Sequence, residues 1–321
     1  MGKIIILGNT WHGNWSLSLY REMERLGYTV EHVDVRLEKY FSLYRLESFR
    51  KKLLNKKLYK RLSKKLKESS VDTCVVMTPY TVPISFLNEL KAEGVRLVGW
   101  WGDDPMIKAD LTKHMPLFDH IYLVDNAWIP HARFFNSNTS YLPHAASSDI
   151  FRPLNIEKKY DVSFIGDSFG GNMNGTYRAR SIDLLRKAGV SVALFGDAGW
   201  KNIPEMRGLY QGFIDGTKAL NEVYNASHIA LNIHHSQLIE GTNQRSFEAA
   251  LSGTLQIADK RSALDDIFGK TIPTYNSPEE LVTLATSLLA DEEKMKKLRD
   301  EAKTIAQTQT YTERIAVLLG E

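Results

Sequence analysis

The 321-residue chain holds one cysteine, Cys74, so no disulfide can close within it and no cysteine-cluster zinc site is available. The thiol lies in Thr73-Cys74-Val75-Val76-Met77, which reads as a buried strand and makes it a small hydrophobe rather than a nucleophile. No apolar run reaches the roughly 18 residues that a membrane-spanning helix needs. The start, Met1–Gly8, is too short and too soon broken by polar residues for a secretory signal, so a cytoplasmic protein is the expectation. Two nucleotide motifs are also missing. The first loop, Gly8-Asn-Thr-Trp-His-Gly13, has Thr10 where G-x-G-x-x-G needs glycine, and G-x-x-x-x-G-K-[ST] occurs nowhere. Dinucleotide and P-loop chemistry therefore lack their usual sequence support. What is present is 43% hydrophobic and 25% charged, which excludes a disordered or fibrous chain and leaves a globular one.

The net charge of +3 conceals a segment, 43–70, with eleven Lys or Arg and two Glu, so the remainder is net negative. Phe49, Leu53, Leu58, Leu62 and Leu66 recur there at helical spacing and give one apolar stripe with a lysine-rich back. A solvated helix face explains this pattern; a docking surface for an anionic partner, whether membrane surface, nucleic acid or acidic glycan, is the sharper reading. Tyr44 and Tyr59 give little aromatic interleaving for stacking on single-stranded bases.

Short apolar runs alternate with amphipathic stretches along the whole chain. Lys3–Gly8, Thr29–Val35, Thr73–Met77, Val95–Trp100, His120–Val124 and Ser140–Leu142 read as strands, with helices such as Trp15–Leu26 and Pro83–Glu93 between them. The pattern restarts with Tyr160–Gly166, Val190–Phe195, Ile229–Ile233, Leu255–Ala258 and Ile272–Thr274. Helices at Tyr177–Lys187, Thr217–Asn225, Arg245–Leu251 and Pro278–Leu289 separate these, and one long polar helix is expected from Glu292 to Leu319. The polar stretch His144–Lys159, around Pro153, divides the two sets. The expectation is an α/β protein of two Rossmann-like, doubly wound domains, 1–150 and 151–321, facing across a cleft, with functional residues in the loops after the strands. The last helix is a candidate to pack back on the first domain.

Three loops carry chemistry. His12, in the Gly8–Asn14 turn, suits a general base or a plain polar loop residue equally. Asp103 and Asp104 follow a strand; with Asp125 they have the makings of a Mg²⁺ and phosphate site, but helix capping explains them as well, and no metal is expected. The richest segment runs from Gly212-Phe213-Ile214 through Asn232 to Glu240-Gly241-Thr242-Asn243-Gln244-Arg245 and Glu248. Here a buried strand gives way to a polar loop and a helix, with Glu240 ahead of the helix and Glu248 inside it. Amides at such a turn suit an anion, and carboxylates accept from sugar hydroxyls.

The E-x7-E spacing of Glu240 and Glu248 resembles that of retaining GT-B glycosyltransferases. More closely, Ser163-Phe-Ile-Gly166, Leu231-Asn232, Asn243-Gln-Arg245-Ser-Phe-Glu248-Ala and Gly253 resemble the C-terminal domain of CgeB-like (spore-maturation-protein-like) glycosyltransferases. Trp100-Trp101-Gly-Asp-Asp104-Pro105, Asp119 through Asp125, and Leu142-Pro143-His144-Ala145-Ala146 resemble their N-terminal domain. The resemblance implies the GT-B fold and transfer of a sugar from a nucleotide-diphosphate sugar, a UDP-sugar first, with UDP as product and no separate cofactor. It places Glu248 on the ribose hydroxyls and Glu240 beside the donor sugar. Gly241, Thr242, Asn243 and Arg245 then face the diphosphate, with Gly166 nearby, and Gly212, Phe213 and Ile214 line the base. Family members of the retaining type carry an Arg and a Lys on the diphosphate; the R-x4-K spacing is absent here, and Arg178 and Arg180 are the arginines on offer. The N-terminal half, with Gly13, Asn14, Asp103, Asp104 and Asp125, forms the acceptor side, where His12 as base would permit inversion. The competing readings are an inactive GT-B-like nucleotide- or glycan-binding module and a transferase acting on nucleic acid through segment 43–70.

Overall fold

The computed structural model describes residues 2–9, 15–35, 58–64, 70–106 and 111–321. The chain divides into two compact units, Met1–Leu142 with Ile315–Glu321, and Pro143–Arg314, so the last helix belongs partly to each.

The first unit is built on six parallel strands: β1 Ile4–Gly8, β2 Val30–Asp34, β3 Thr73–Val76, β4 Arg96–Trp101, β5 His120–Leu123 and β6 Thr139–Tyr141. Their order across the sheet is β2-β1-β3-β4-β5-β6. All five residues of β1 are buried, as expected of a strand covered on both faces. Trp100 and Trp101 are also buried, and each indole satisfies its N–H on a backbone carbonyl, Leu142 and Val76 respectively, both at 3.1 Å. The chain end is held to this unit by strand residues. Arg96 donates to the carbonyls of Leu318 and Leu319, and Tyr122 donates to that of Val317.

The second unit repeats the plan with β7 Tyr160–Ile165, β8 Val192–Phe195, β9 Tyr210–Gly212, β10 Ser227–Asn232, β11 Leu255–Asp259 and β12 Thr274–Tyr275. Their order is β12-β11-β10-β7-β8-β9, all parallel. The chain leaves β7 in one direction and returns beside it as β10, which makes the β7/β10 boundary the switch point of this sheet. Alternation sorts side chains by size. Ile229, Leu231, Leu255 and Ile257 face one core with helices Met173–Lys187 and Pro278–Leu289. Ala230 and Ala258 face the other, where Phe247, Ala249 and Ala250 of helix Arg245–Leu251 pack. The alanine face lets this short helix lie close to the sheet, directly behind the strand ends.

Several elements differ from expectation. The long polar helix is two, Glu292–Ala306 and Tyr311–Leu319. At the break the Glu half of a capping box is formed: Glu313 accepts from the Thr310 backbone N–H at 2.9 Å and from its hydroxyl, starting a new helix. Strand β9 and helix Ser262–Phe268 are additional; both are short, and β9 has no buried residue to give it an apolar signal.

Candidate functional site

The switch point of the second sheet is bridged by one side chain. After β7 the chain turns through Phe169, Gly170 and Gly171, all with left-handed φ (51°, 61° and 80°). Asn172 then caps helix Met173–Lys187 by accepting from the Gly175 N–H. Gly175 is required here, because a Cβ would sit 1.9 Å from the Ser168 carbonyl oxygen. The turn brings Arg178 back under the loop. Its guanidinium donates to the Asp167 carbonyl at 2.8 Å, just past β7, and to the Ile233 carbonyl at 2.9 Å, just past β10. It also lies over the rings of Phe169 and Phe164, at 4.6 and 5.5 Å. Arg178 is 5% exposed, and among the described residues no carboxylate reaches it as an ion pair. Burial pulls its pKa down to about 10, and the positive charge of Arg245 pushes the same way.

Beside it, the ends of β10 and β11 are joined by buried polar groups. His234 Nδ1 lies 2.6 Å from Asp259 Oδ1, which also accepts the His234 backbone N–H at 2.8 Å. His234 Nε2 meets the Thr242 hydroxyl at 2.8 Å, and that hydroxyl meets Ser246 Oγ at 2.6 Å. The amides of Asn232 and Asn243 bond each other reciprocally at 3.0 and 2.9 Å, and Asn232 Nδ2 also donates to Ser246 Oγ at 3.2 Å. Arg261 pairs with the second oxygen of Asp259 at 2.8 Å. Burial pushes the Asp259 carboxyl up, but His234 and Arg261 together outweigh it and hold the group below the usual carboxylate range.

The loop so tethered has donors to spare. Among the described residues, the backbone N–H groups of Gly241, Thr242, Asn243 and Gln244 meet no acceptor. Gly241 and Thr242 are buried, and the side-chain oxygen of Asn243 caps Arg245 N–H at 3.1 Å. Helix Arg245–Leu251 carries Glu248, 2% exposed, whose Oε2 accepts the Tyr224 hydroxyl at 3.3 Å. Burial pushes the Glu248 pKa up to about 7, against the pull of Arg245 and the Tyr224 hydrogen bond.

The structure thus brings Arg178, Asn243, Arg245, Glu248, Gly241 and Thr242 into one neighbourhood. Glu240 adjoins it but is exposed, its carbonyl accepting the Ala263 N–H. Arg180 is not brought in. Two residues on from Arg178, it points off the opposite side of the helix and pairs with Glu279 at 3.1 Å. Gly166 is a backbone turn whose carbonyl accepts the Trp200 indole N–H at 2.8 Å. Gly212 closes β9 with φ 117°, Phe213 is 70% exposed, and Ile214 packs against the alanine-face core.

In the first unit the two buried aspartates cap turns. Asp104 Oδ1 accepts from Met106 N–H at 2.8 Å, and Asp125 Oδ1 accepts from Ala127 N–H at 2.9 Å. Asp103 is half-buried in the loop after β4. Among the described residues no three His, Cys, Asp or Glu come together to hold a metal ion. His12, Gly13 and Asn14 lie outside the described residues, as does segment 43–70 apart from 58–64 and Ser70. In that stretch Tyr59 and Leu62 are buried while Lys60, Arg61 and Lys64 are exposed, the amphipathic division expected of it. His234, Asp259, Tyr224 and Arg261 were not singled out by motif. The legible signal for the first two was a polar residue at or just past the end of a buried strand.

Residues 178–320 match a family described as glycosyl transferase-like, beginning at the switch-point arginine. Sucrose-phosphate synthase from Thermosynechococcus elongatus has a similar structure: TM-score 0.71 and 12% identity over 100% of this chain and 98% of that one. HepE of Anabaena, solved in complex with UDP-glucose, gives 0.69 and 14% identity over 100% of both chains. A UDP-forming α,α-trehalose-phosphate synthase from Burkholderia xenovorans gives 0.64 and 12%, over 100% and 98%. No curated protein matches the chain in sequence. Among the described residues no helix is long and apolar enough to cross a membrane. The chain has the GT-B fold, and its second unit carries a match to the glycosyl transferase-like family.

Proposed function

We propose that the protein moves a sugar from a nucleotide-diphosphate sugar, a UDP-sugar, to an acceptor hydroxyl. The observation that carries this reading is Arg178: a buried cation that forms no ion pair with a carboxylate among the described residues, set at the switch point beside a second arginine. Such a charge is costly to bury unless an anion completes it. A diphosphate held against the 241–244 amides and Arg245 would do so. That charge comes from the protein itself, which supports a reaction without a bound metal and with no cofactor beyond the donor. The similarity to HepE, solved with UDP-glucose, agrees with uridine as the nucleoside.

On this reading residues 151–321 form the donor side and 1–150 the acceptor side. Glu248 takes the ribose hydroxyls, Glu240 the donor sugar, and Gly212–Ile214 the base, in a site of CgeB-like, retaining type. The bond from the anomeric carbon to the β-phosphate oxygen breaks with its electron pair on the diphosphate, where Arg178, Arg245 and the amides stabilise it. The acceptor oxygen bonds to the same face of that carbon, and its proton passes to the departing phosphate. In the alternative, inverting course His12 of the first unit would take that proton instead; Gly13, Asn14, Asp103 and Asp125 are the candidate acceptor-side residues, and segment 43–70 is the candidate dock for an anionic partner.

A thermal-shift panel of UDP, GDP, ADP, dTDP and CMP, with and without Mg²⁺, tests the donor. A ligand at a hundredfold its Kd adds about 2.7 kcal/mol of stability. UDP alone is expected to shift the midpoint, with no need of Mg²⁺, and Glu248→Ala is expected to abolish the shift. No shift with any nucleotide would overturn the reading.

A further inference from the structure

We infer that His234 is a positioning residue for the donor site: as a neutral ring carrying its proton on Nδ1, it locks the 241–243 loop to the end of β11. The inference rests on the donor-site reading above and goes beyond it, because it gives a role to a buried residue which that reading leaves out.

The direction of the hydrogen bonds fixes the ring. The Asp259 carboxylate can only accept, and it faces Nδ1 at 2.6 Å, so Nδ1 carries a proton. At the far end, Asn232 Nδ2 can only donate, and it reaches both Asn243 Oδ1 and Ser246 Oγ. Ser246 Oγ and Thr242 Oγ1 share a hydrogen bond of 2.6 Å in which either hydroxyl can donate. His234 Nε2 meets the Thr242 hydroxyl at 2.8 Å and also faces Asn232 Nδ2 at 3.5 Å; a group that can only donate points at this nitrogen, which makes it the accepting, unprotonated one. The contacts run without a break from Asn232 through Ser246, Thr242 and His234 to Asp259. A proton added at Nε2 would point at the Asn232 amide N–H, a donor facing a donor.

The chain's consequence is local. Thr242 is fully buried, and its two hydroxyl bonds hold it between strand end and helix. Its neighbours 241, 243 and 244 carry the N–H groups that meet no acceptor among the described residues. Their placement depends on Thr242 staying where it is, since a loop offers its amides to an anion only in a fixed conformation.

The test pairs Thr242→Val, which keeps the shape and removes the hydroxyl, with Thr242→Ser, which restores it. UDP affinity is read by calorimetry and folding by circular dichroism and the ligand-free midpoint. Thr242→Val is expected to weaken UDP at least tenfold while remaining folded, and Thr242→Ser to stay within threefold of the unaltered protein. Should Thr242→Val not fold, Ser246→Ala cuts the same chain one bond earlier and takes its place. In ¹⁵N-histidine spectra of the unaltered protein, assigned by loss of the signal in His234→Gln, His234 is expected as the neutral Nδ1–H form. Full UDP affinity in the hydroxyl-deleted variant, or a cationic or Nε2–H ring, overturns the inference. Failure of the unaltered protein to bind UDP overturns instead the donor-site reading and takes the positioning role with it; the spectra separate the two cases.

Discussion

At the scale of single residues, two buried charges in the second unit have opposite accounts. Glu248 has its pKa raised to about 7 by burial, whereas an exposed glutamate titrates near 4.5. The folded protein therefore holds this proton more tightly than the unfolded chain does. Stability falls as pH rises from about 4.5 to about 7, and the loss is complete above that. Glu248→Gln removes the effect and is expected to stabilise the apo protein at pH 8 relative to pH 5, by at most about 3 kcal/mol. Denaturant melts at the two pH values check it, and an unchanged pH slope would refute the buried-carboxyl account. Arg178 is the converse case. Arg178→Met removes a charge and leaves the Asp167 and Ile233 carbonyls unmet, and we expect UDP affinity to fall about 10- to 100-fold, the worth of a charge-assisted contact. Arg178→Lys keeps the charge and is expected to retain part of the affinity in the same titration.

At the scale of elements, most of the architecture was legible. Thr217–Asn225, Arg245–Leu251 and Pro278–Leu289 were read with the bounds the structure has, because each joins helical apolar spacing to a Gly, Ser or Pro boundary. Helix Glu292–Ala306 was read too long. Its charged residues run on without a glycine or proline, and Thr310-x-x-Glu313 is the one capping signal that marks the break. Helix Met173–Lys187 begins one turn earlier than read, since Asn172 caps it from within a glycine-rich loop. That loop carries the element-scale prediction. Gly175→Ala places a methyl against the Ser168 carbonyl, and backbone rather than a flexible side chain must give way. The expected cost is about 3 kcal/mol, seen as a lower urea midpoint, with UDP affinity falling as Arg178 loses its seat. A midpoint equal to that of the unaltered protein would show that the loop relaxes freely.

At the scale of the whole molecule, one thiol reports on folding. Cys74 is 1% exposed in β3, and burial pushes its pKa up to about 12. A maleimide or disulfide reagent is thus expected to label it only when the first unit opens, at a rate that rises steeply with denaturant. Prompt labelling under native conditions would contradict the packing of β1, β3 and β4.

The sequence by itself determined the two-sheet plan, because continuous apolar runs alternating with amphipathic helices admit few other arrangements. It also marked Glu240, Asn243, Arg245 and Glu248 as a group, since those residues lie within nine positions of one another. Only the tertiary structure chose between Arg178 and Arg180, which differ in the side of the helix they occupy and not in chemistry. It alone joined Asn232, His234, Thr242, Ser246 and Asp259, which span 28 positions of sequence. Parallel strands bring their ends together through crossovers, and adjacency made that way leaves no spacing in the sequence to read.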